Sequence, residues 1–431
     1  MAYLDKTGLE RLWQHIVAKI GSSFGAITDD TIAAITGEGE VVASASLIKN
    51  TRLPILELSG DVTDMSKDNA VTLNYTYGDL AGTCTCKWQG SSSIRYPKKN
   101  YTIKFDQSFE AKTGWGVHNK YCMKANWVDP SNLRNVYCAR LWGDMVKQRY
   151  GAPDNLKALP NGGAIDGFPI WIILNGQSLG LYTFSIPKED WMLGMTGANS
   201  AEGFVCADRC GLDIPVTGEY VEEFGMNDVK VEYSAGNESA LIASLNNVIT
   251  VINNVKSAAD LAALEAVVDI NSVIDYNIHM SLLGNNDGIN RNYILATYDG
   301  IKWFMSAYDM DSVFGGVALP EEVGYGKGLR WTNTWPSFEG GMPDNKLIDL
   351  IRTYYAAETK TRFTELRGWV LNELNTNTIL YQMAYEIPDI AIREDFRLWP
   401  SRLGTNTGTC YQIADYMRMR YLVLDYQITQ I

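Results

Sequence analysis

The chain has 431 residues, 46% of them hydrophobic, and a formal net charge of -13 at pH 7. No stretch has about 18 consecutive apolar residues, and no basic leader precedes an apolar run, so we predict neither a membrane span nor a signal peptide. The acidic balance argues against nucleic acid as the main partner. Seven scattered cysteines and three histidines argue against a zinc centre or a Ser-His-Asp triad.

The first 25 residues predict a short amphipathic helix. Thr7 and Glu10 form a capping box, and apolar residues follow at helical spacing. Residues 26–52 lack a core of their own and are predicted to be a linker. The opening LDKTGLERLW resembles the N-terminal segment of many bacteriophage tail and baseplate proteins, which implies attachment to a virion. A helix packed on its own domain is the alternative.

Strand-rich sequence follows from Leu53 to about residue 190. Alternating apolar residues predict strands at 53–58, 71–77, 84–88 and 100–105. The Gly-Ser loop at residues 90–93, which includes Ser92, can offer backbone N–H groups to a phosphate, although such loops are also ordinary turns. Lys99 and Lys104 are the nearby candidates for a phosphate-binding lysine. Lys104 is better explained as a solvated strand lysine.

Two further features belong to this strand-rich part. A helix is expected after Ser131, its predicted N-cap, with an inward apolar stripe from Leu133 to Met145. A second hairpin is predicted around Asn175-Gly176.

The pattern becomes helical beyond about Trp191. The predicted helices are 239–255, 258–267, 270–283, 346–355, 359–374, 378–387 and 410–428. A mobile loop is expected from Glu321 through Lys327.

Two alternating apolar runs, 292–298 and 301–308, flank the turn Asp299-Gly300. Asp-Gly between such runs predicts a tight hairpin, because its type I′ turn needs positive φ at both central positions. A two-residue loop would place Asn292 opposite Ala307.

The open end of this hairpin gathers oxygen-bearing side chains. They are Asp287, Asn290 and Asn292 on one side, with Asp309 and Asp311 on the other. The two-residue loop would place Asn290 opposite Asp309, and the two aspartates can face one side of an extended strand. Mg²⁺ prefers such oxygen ligands. An acidic loop at the end of a solvated hairpin is the alternative.

The order of these residues matches that of protein kinases. Asp287 precedes Asn292 by five residues, and a hairpin then leads to Asp309; kinases use this order for a catalytic Asp, a metal-binding Asn and a metal-binding Asp. The stretch YDMDSVFG, residues 308–315, resembles the closing motif of the CotH family of atypical kinases, named after spore coat protein H. Three other stretches, GSSSIRYPKKNY, DPSNLRN and LNGQSLGLY, resemble further family motifs in the expected order.

The resemblance implies a role for each candidate residue. Asp287 and Lys99 would be catalytic. Ser92, Arg95, Lys99 and Arg134 would bind the nucleotide, and Asn292, Asp309 and Asp311 would bind the metal. Asp311 is either a second ligand or the residue that fixes the backbone of the metal loop. In this chain Ile94 stands where the motif has Arg, and the helix after Ser131 contains no Glu to pair with the lysine.

These features together predict an α+β, two-lobed atypical protein-kinase-like fold, with an N-lobe over 53–190 and a C-lobe over 191–431. The expected function is phosphoryl transfer from ATP, with Mg²⁺, to Ser or Thr of a structural coat or virion protein. A non-catalytic virion structural or adaptor protein that retains the fold is one alternative, and transfer of the nucleotide itself is another. We expect a virion-associated or bacterial cytoplasmic location, with phage tail or virion proteins as partners.

Overall fold

The computed structural model describes residues 48–219, 228–285, 287–315, 345–402 and 409–429. The predicted N-terminal helix, most of the predicted linker and the predicted 321–327 loop lie outside these ranges. Cα packing divides the chain into two compact units, Met1–Leu53 and Pro54–Ile431. The elements described below belong to the second unit, and its predicted division at residue 190 stays a prediction.

Seven strands close into a barrel. They are β1 (Ile55–Ser59), β2 (Val71–Tyr77), β3 (Leu80–Gln89), β4 (Asn100–Phe109), β5 (His118–Lys124), β6 (Gly167–Leu174) and β7 (Gln177–Ser185). Their order around the barrel is β1-β2-β3-β4-β5-β7-β6, and parallel pairing of β1 with β6 closes the ring. The predicted strand 71–77 and the hairpin at Asn175-Gly176 are confirmed.

Aromatic side chains fill the barrel. The ring of Tyr121 lies 4.8 Å from that of Phe184 and 6.2 Å from that of Phe105. Because side chains alternate along a strand, Cys122 and Lys124 lie on the opposite face of β5 from Tyr121. The barrel is therefore a packed core that presents one face of β5 to its surroundings.

A second, four-stranded antiparallel sheet has the order β11-β10-β8-β9. Its strands are β8 (Gly203–Asp208), β9 (Asp228–Ser234), β10 (Tyr293–Thr297) and β11 (Trp303–Ala307). All five residues of both β10 and β11 are buried, so this hairpin is a core element with its polar ends beyond the strands.

The β10–β11 hairpin differs from the predicted register by one residue. Tyr293, rather than Asn292, pairs with Ala307. The Asp299 carboxylate accepts the Ile301 N–H at 2.8 Å, and this contact supports a longer loop than the two-residue turn. The predicted register is therefore wrong, although the hairpin itself is confirmed.

The helices of the described residues surround these sheets. They are α1 (Arg134–Lys147), α2 (Asp154–Ala158), α3 (Glu238–Asn254), α4 (Leu261–Val267), α5 (Ile270–Leu283), α6 (Asp287–Asn290), α7 (Lys346–Tyr354), α8 (Ala356–Gly368), α9 (Glu373–Tyr385), α10 (Asp389–Leu398) and α11 (Cys410–Ile428). The mixture of helices and sheets confirms the α+β class. None of these helices is long and apolar enough to cross a membrane.

Two helix predictions need correction. The predicted helix 359–374 is interrupted, because the Asn372 side chain accepts the Asn375 N–H at 2.8 Å and starts α9. Helix α1 begins at Arg134 rather than after a Ser131 cap. Asp129 takes over the capping role there, since its carboxylate accepts the Arg134 N–H at 2.9 Å.

Candidate functional site

The acidic loop, which we define as residues 308–315, follows β11. Asp309 has a left-handed backbone with φ 53°, a conformation that Asp adopts more readily than most residues. The side-chain oxygen of Asn135 on α1 accepts the Met310 N–H at 3.1 Å, and the Leu283 carbonyl accepts the Phe314 N–H at 3.0 Å. Backbone contacts to α1 and α5 therefore fix the loop that carries Asp309 and Asp311.

Asn292 lies just before β10, half-buried and also left-handed, with φ 53°. Its N–H donates to the Ala207 carbonyl at 2.9 Å, which ties it to the end of β8. Since Tyr293 pairs with Ala307, Asn292 and the start of the acidic loop lie at the same end of the hairpin. Asn292 and Asp309 therefore remain candidate ligands of one metal ion, although the register differs from the predicted one.

Asp287 opens the single-turn helix α6 directly before Asn292. The turn is held by its backbone: the Tyr276 hydroxyl donates to the Gly288 carbonyl at 2.6 Å, and the Asn345 side chain donates to the Ile289 carbonyl at 2.9 Å. A Cβ at Gly288 would lie 2.4 Å from the Met280 sulfur, so only glycine fits without a shift. The side chains of Asp287 and Asn290 lie outside the described residues. The predicted pairing of Asn290 with Asp309 depended on the two-residue loop and is wrong, because the strand register is shifted by one residue and Asn290 belongs to α6.

Lys124, at the end of β5, is the cation of the barrel that interacts with the acidic loop. It is half-buried and packs in a small recess that is also lined by Asn126, Asn132, Asn135, Val136, Ile165, Thr183 and Ser185. Burial lowers the pKa of Lys124, but the neighbouring Tyr308, Cys122 and Asp309 raise it more, so the net pKa lies above the ordinary lysine value. Lys124 therefore carries its proton, beside Asp309.

Lys188 is a second cation on this side of the acidic loop. Its ammonium pairs with Glu232 of β9 at 2.5 Å and lies 4.5 Å from the centroid of the Tyr308 ring. Burial lowers the pKa of Lys188, yet Cys206, Tyr308 and Glu232 together raise it well above the ordinary value. Lys188 is thus already neutralised by a carboxylate, which distinguishes it from Lys124.

The predicted nucleotide-binding residues Ser92, Arg95 and Lys99 lie in segment 90–99, which is called the Gly-Ser loop from here on. Ser92–Arg95 form a single 3-10 turn, and Arg95 is exposed. The Lys99 ammonium donates to the carbonyls of Ile94 and Tyr96, at 2.7 Å each. In this conformation Lys99 braces its own loop.

Tyr96 connects the Gly-Ser loop with the acidic loop. Burial raises the pKa of Tyr96, and the Asp311 carboxylate raises it further. The Tyr96 ring also stacks on Trp127, with centroids 5.7 Å apart. The two loops that the sequence assigns to phosphate and to metal are therefore close enough to interact electrostatically.

Arg134 is placed differently from its predicted nucleotide-binding role. Its side chain is 1% exposed and forms an ion pair with Asp129. Its Nε donates to the Val313 carbonyl at 3.1 Å, and its Nη2 donates to the Gln412 side chain at 2.8 Å. Arg134 thus supports the acidic loop from behind, and this geometry does not present it to a nucleotide.

The predicted ligands have the chemistry that a Mg²⁺ ion prefers. Asp309 and Asp311 supply carboxylate oxygens and Asn292 an amide oxygen, the hard ligands that Mg²⁺ prefers. Among the side chains that the structure describes, no three His, Cys, Asp or Glu groups are arranged to hold a metal. The predicted ligands are a different kind of set, because they combine two aspartates with an asparagine.

Comparison with known proteins identifies the family. The family model described as CotH kinase protein matches residues 87–424, well over half of the chain. The chain belongs to the CotH kinase protein family. The match begins inside β3, so β1 and β2 lie before it. No curated protein matches the chain.

For this CotH family member, sequence reasoning missed Lys124, Lys188 and Asn135. Strand β5 was not predicted, because its sequence HNKYCMK carries polar residues on the outward face and at both ends. The alternation Tyr121, Met123 against Cys122, Lys124 was the available signal. Asn135 stands in the DPSNLRN motif, but its contact with Met310 spans 175 residues and has no local signature.

Proposed function

We propose that the protein transfers the γ-phosphoryl group of ATP to a Ser or Thr hydroxyl of a protein substrate. Asn292, Asp309 and Asp311 would hold Mg²⁺, and Asp287 would orient the acceptor hydroxyl and take its proton. Lys124 would bind the phosphates, with Arg95, Ser92 and Lys99 of the Gly-Ser loop as additional contacts. Lys99 would first have to release the carbonyls of its own loop.

The observation that carries the proposal is the interaction of Lys124 with the acidic loop. A protonated, half-buried lysine on the barrel interacts electrostatically with Asp309. A lysine and a carboxylate that interact across two elements suit a ligand that is itself a metal-bound polyphosphate, because one can bind the phosphates and the other the metal. Membership of the CotH kinase family supports the same chemistry.

Each group in the proposed site would have its own role in the reaction. Mg²⁺, when bound, would neutralise charge on the phosphates. Lys124 would hold the triphosphate at the barrel side, because a protonated lysine stays bound as negative charge shifts toward the leaving group. Asn135 and Arg134 would keep the acidic loop in place without touching substrate. The bond from the γ-phosphorus to the ADP oxygen breaks as the bond to the acceptor oxygen forms, and the acceptor proton passes to Asp287.

We further propose that the barrel and the helical part with the second sheet act as the two lobes of a kinase-like fold. The placement of Lys124 on a barrel strand and of Asp309 after β11 supports this division. We also propose that residues 1–25 attach the protein to a virion, on the basis of the phage-like opening LDKTGLERLW alone.

ATP labelled at the γ or the α phosphate tests the proposed reaction. The purified protein is incubated with Mg²⁺ and each label, beside Asp309→Asn, which keeps the shape but loses a charged metal ligand. Label transferred from γ alone, and lost in Asp309→Asn, supports phosphoryl transfer. Label transferred from α would mean nucleotide transfer. The absence of both nucleotide binding and label transfer would favour a structural role.

A further inference from the structure

Five buried side chains of alternating charge run between the Gly-Ser loop and the acidic loop. In order, this buried charge row consists of Lys98, Asp395, Arg402, Asp129 and Arg134, each at most 4% exposed. Two of its members, Asp395 and Arg402, come from α10 and the segment after it, which the sequence patterns left without a role.

Asp395 holds the end of the Gly-Ser loop. The ammonium of Lys98 donates to Asp395 Oδ1 at 2.7 Å and to the Leu181 carbonyl at 2.5 Å. The Leu181 N–H donates to the same carboxylate oxygen at 2.8 Å. One carboxylate of α10 therefore fixes both Lys98 and strand β7.

Arg402 connects Asp395 with Asp129. Its Nη1 donates to the second oxygen of Asp395, and its Nη2 donates to the carbonyls of Asn126 at 2.6 Å and Asp129 at 3.0 Å. The Asp129 carboxylate then pairs with Arg134. Arg402 thus binds the backbone carbonyl of Asp129, and Arg134 binds its carboxylate.

The row ends on the acidic loop. Arg134 donates to the Val313 carbonyl at 3.1 Å and to the Gln412 side chain at 2.8 Å. Gln412 in turn donates to the Phe314 carbonyl at 2.7 Å. A continuous set of charged hydrogen bonds therefore connects Lys98 with the backbone of residues 313 and 314.

Such a row is a costly way to stabilise a core. Burying charges loses hydration, and apolar replacements of buried ion pairs are often neutral or stabilising, whereas removal of one partner is strongly destabilising. Burial lowers the pKa of Lys98 to about 7, and Asp395 opposes that decrease. The gain from the row is geometric, since charged hydrogen bonds fix the direction and distance of the groups that they join.

We propose that Asp395 is a positioning residue which, through the buried charge row, holds the Gly-Ser loop at a fixed place relative to the acidic loop. The function of this positioning rests on the proposed phosphoryl transfer, in which a nucleoside triphosphate contacts both loops. The mechanical coupling between the loops can be measured without any nucleotide.

Hydrogen–deuterium exchange of the full chain tests the coupling. In Asp395→Asn, amide exchange is expected to rise about tenfold in the peptides covering 92–99 and 309–315, because local opening becomes easier, and to stay unchanged in α3. The matched control is Asp166→Asn. Asp166 is also a buried carboxylate, bonded to Lys112 at 2.5 Å and to the Trp115 indole at 2.8 Å, but it lies outside the row.

The control should leave exchange of both peptides at the wild-type level. Unchanged exchange of the two peptides in Asp395→Asn would overturn the proposal, and so would an equal rise in Asp166→Asn. If Asp395→Asn does not fold, Arg402→Lys serves, since it keeps a cation beside Asp395 but loses the arm that reaches Asn126 and Asp129. That variant should raise exchange at 309–315 and not at 92–99, and no rise at 309–315 would overturn the proposal.

Titration with Mg·ATP separates this proposal from the proposed function. Asp395→Asn is expected to bind Mg·ATP about tenfold more weakly than the wild type, and Asp166→Asn to bind it equally well. If the wild-type protein binds no Mg·ATP, the proposed phosphoryl transfer fails while the exchange result still decides whether Asp395 couples the loops. If it binds Mg·ATP and Asp395→Asn binds it with the same affinity, the positioning role is contradicted.

Discussion

The barrel side and the acidic side of the candidate site are built in opposite ways. On the barrel side Lys124 lies at the end of a regular strand, paired in register with Thr183 of β7. On the acidic side Asn292, Asp309 and Phe314 all have positive φ, between 53° and 57°. They lie in irregular segments that are hydrogen-bonded to β8, α1, α5 and α11. One side is rigid by its sheet pairing, and the other by specific contacts to its backbone.

This difference indicates where function is most vulnerable. Left-handed backbone at a non-glycine residue costs ~1–3 kcal/mol and persists only where surrounding contacts impose it. The acidic side should therefore respond to changes in distant supports, such as Asn135 and Arg134, while the barrel side should respond mainly to changes of Lys124 itself.

The largest effect is expected from the acidic side, at Asp287. Asp287→Asn should lower transfer by ~10²–10⁴-fold, because orientation of the acceptor and uptake of its proton are lost. Mg·ATP affinity should stay nearly unchanged, since the role proposed for Asp287 involves the acceptor hydroxyl and not the nucleotide. Single-turnover transfer and a Mg·ATP titration measure the two effects, and loss of Mg-dependent binding in this variant would reverse the roles assigned to Asp287 and Asp309.

The barrel side is tested at Lys124, with Lys104 as the matched control. Lys104 is an exposed lysine on the adjacent strand β4 and was itself a candidate from the sequence. Lys124→Met should weaken Mg·ATP binding by ~10–100-fold, the range of a lost charged hydrogen bond. Lys104→Met should bind as the wild type. Equal effects in the two variants would show that general surface charge, not Lys124, attracts the nucleotide.

Lowering the pH should destabilise the packing of α5 on α1, the two helices that support the acidic loop, through His279 of α5. Its side chain is fully buried and donates to the Cys138 carbonyl of α1 at 3.0 Å, and burial lowers the pKa of His279 to about 4. Because the unfolded chain takes up this proton near pH 6.5, stability is full above that pH and is lost as the pH falls toward 4. From about pH 7 to about pH 5 the loss is about 2 kcal/mol.

Urea unfolding at these two pH values, in the wild type and in His279→Gln, measures that contribution. The glutamine cannot take up the proton, so the variant should lose about 2 kcal/mol less than the wild type between the two pH values. An identical pH dependence in both proteins would mean that His279 does not titrate in this range.

The smallest effect is expected at Asn135, whose side chain accepts the Met310 N–H. Asn135→Leu leaves that N–H without its acceptor and should lower the free energy of unfolding by about 1 kcal/mol. Mg²⁺ affinity should fall with it, because the loop of Asp309 loosens. Urea unfolding and Mg²⁺ titration check both effects, and an unchanged Mg²⁺ affinity would show that α1 does not position the loop.

The same contrast explains what the sequence could predict. Helix α5, the β10–β11 hairpin and the order Asp287, Asn292, Asp309 lie within one local stretch, so periodicity and spacing predict them directly. The Asp-Gly signal predicted the hairpin, but its two-residue loop gave a register that is wrong by one residue. Lys124, Arg134 and Asp395 depend on partners far away along the chain: Lys98 and Asp395 are 297 residues apart. No local pattern encodes such a pair, and the closed barrel that brings β5 to the acidic loop depends on the equally non-local pairing of β1 with β6.

The most direct test of the account is whether Lys124 and Asp309 act on one ligand. A double-mutant cycle measures Mg·ATP affinity calorimetrically in the wild type, Lys124→Met, Asp309→Asn and the double variant. If both residues hold the same metal-bound phosphates, the two losses will not add, and the coupling will be at least about 1 kcal/mol. Strictly additive losses, or no loss in either single variant, would contradict a shared site between the barrel and the acidic loop.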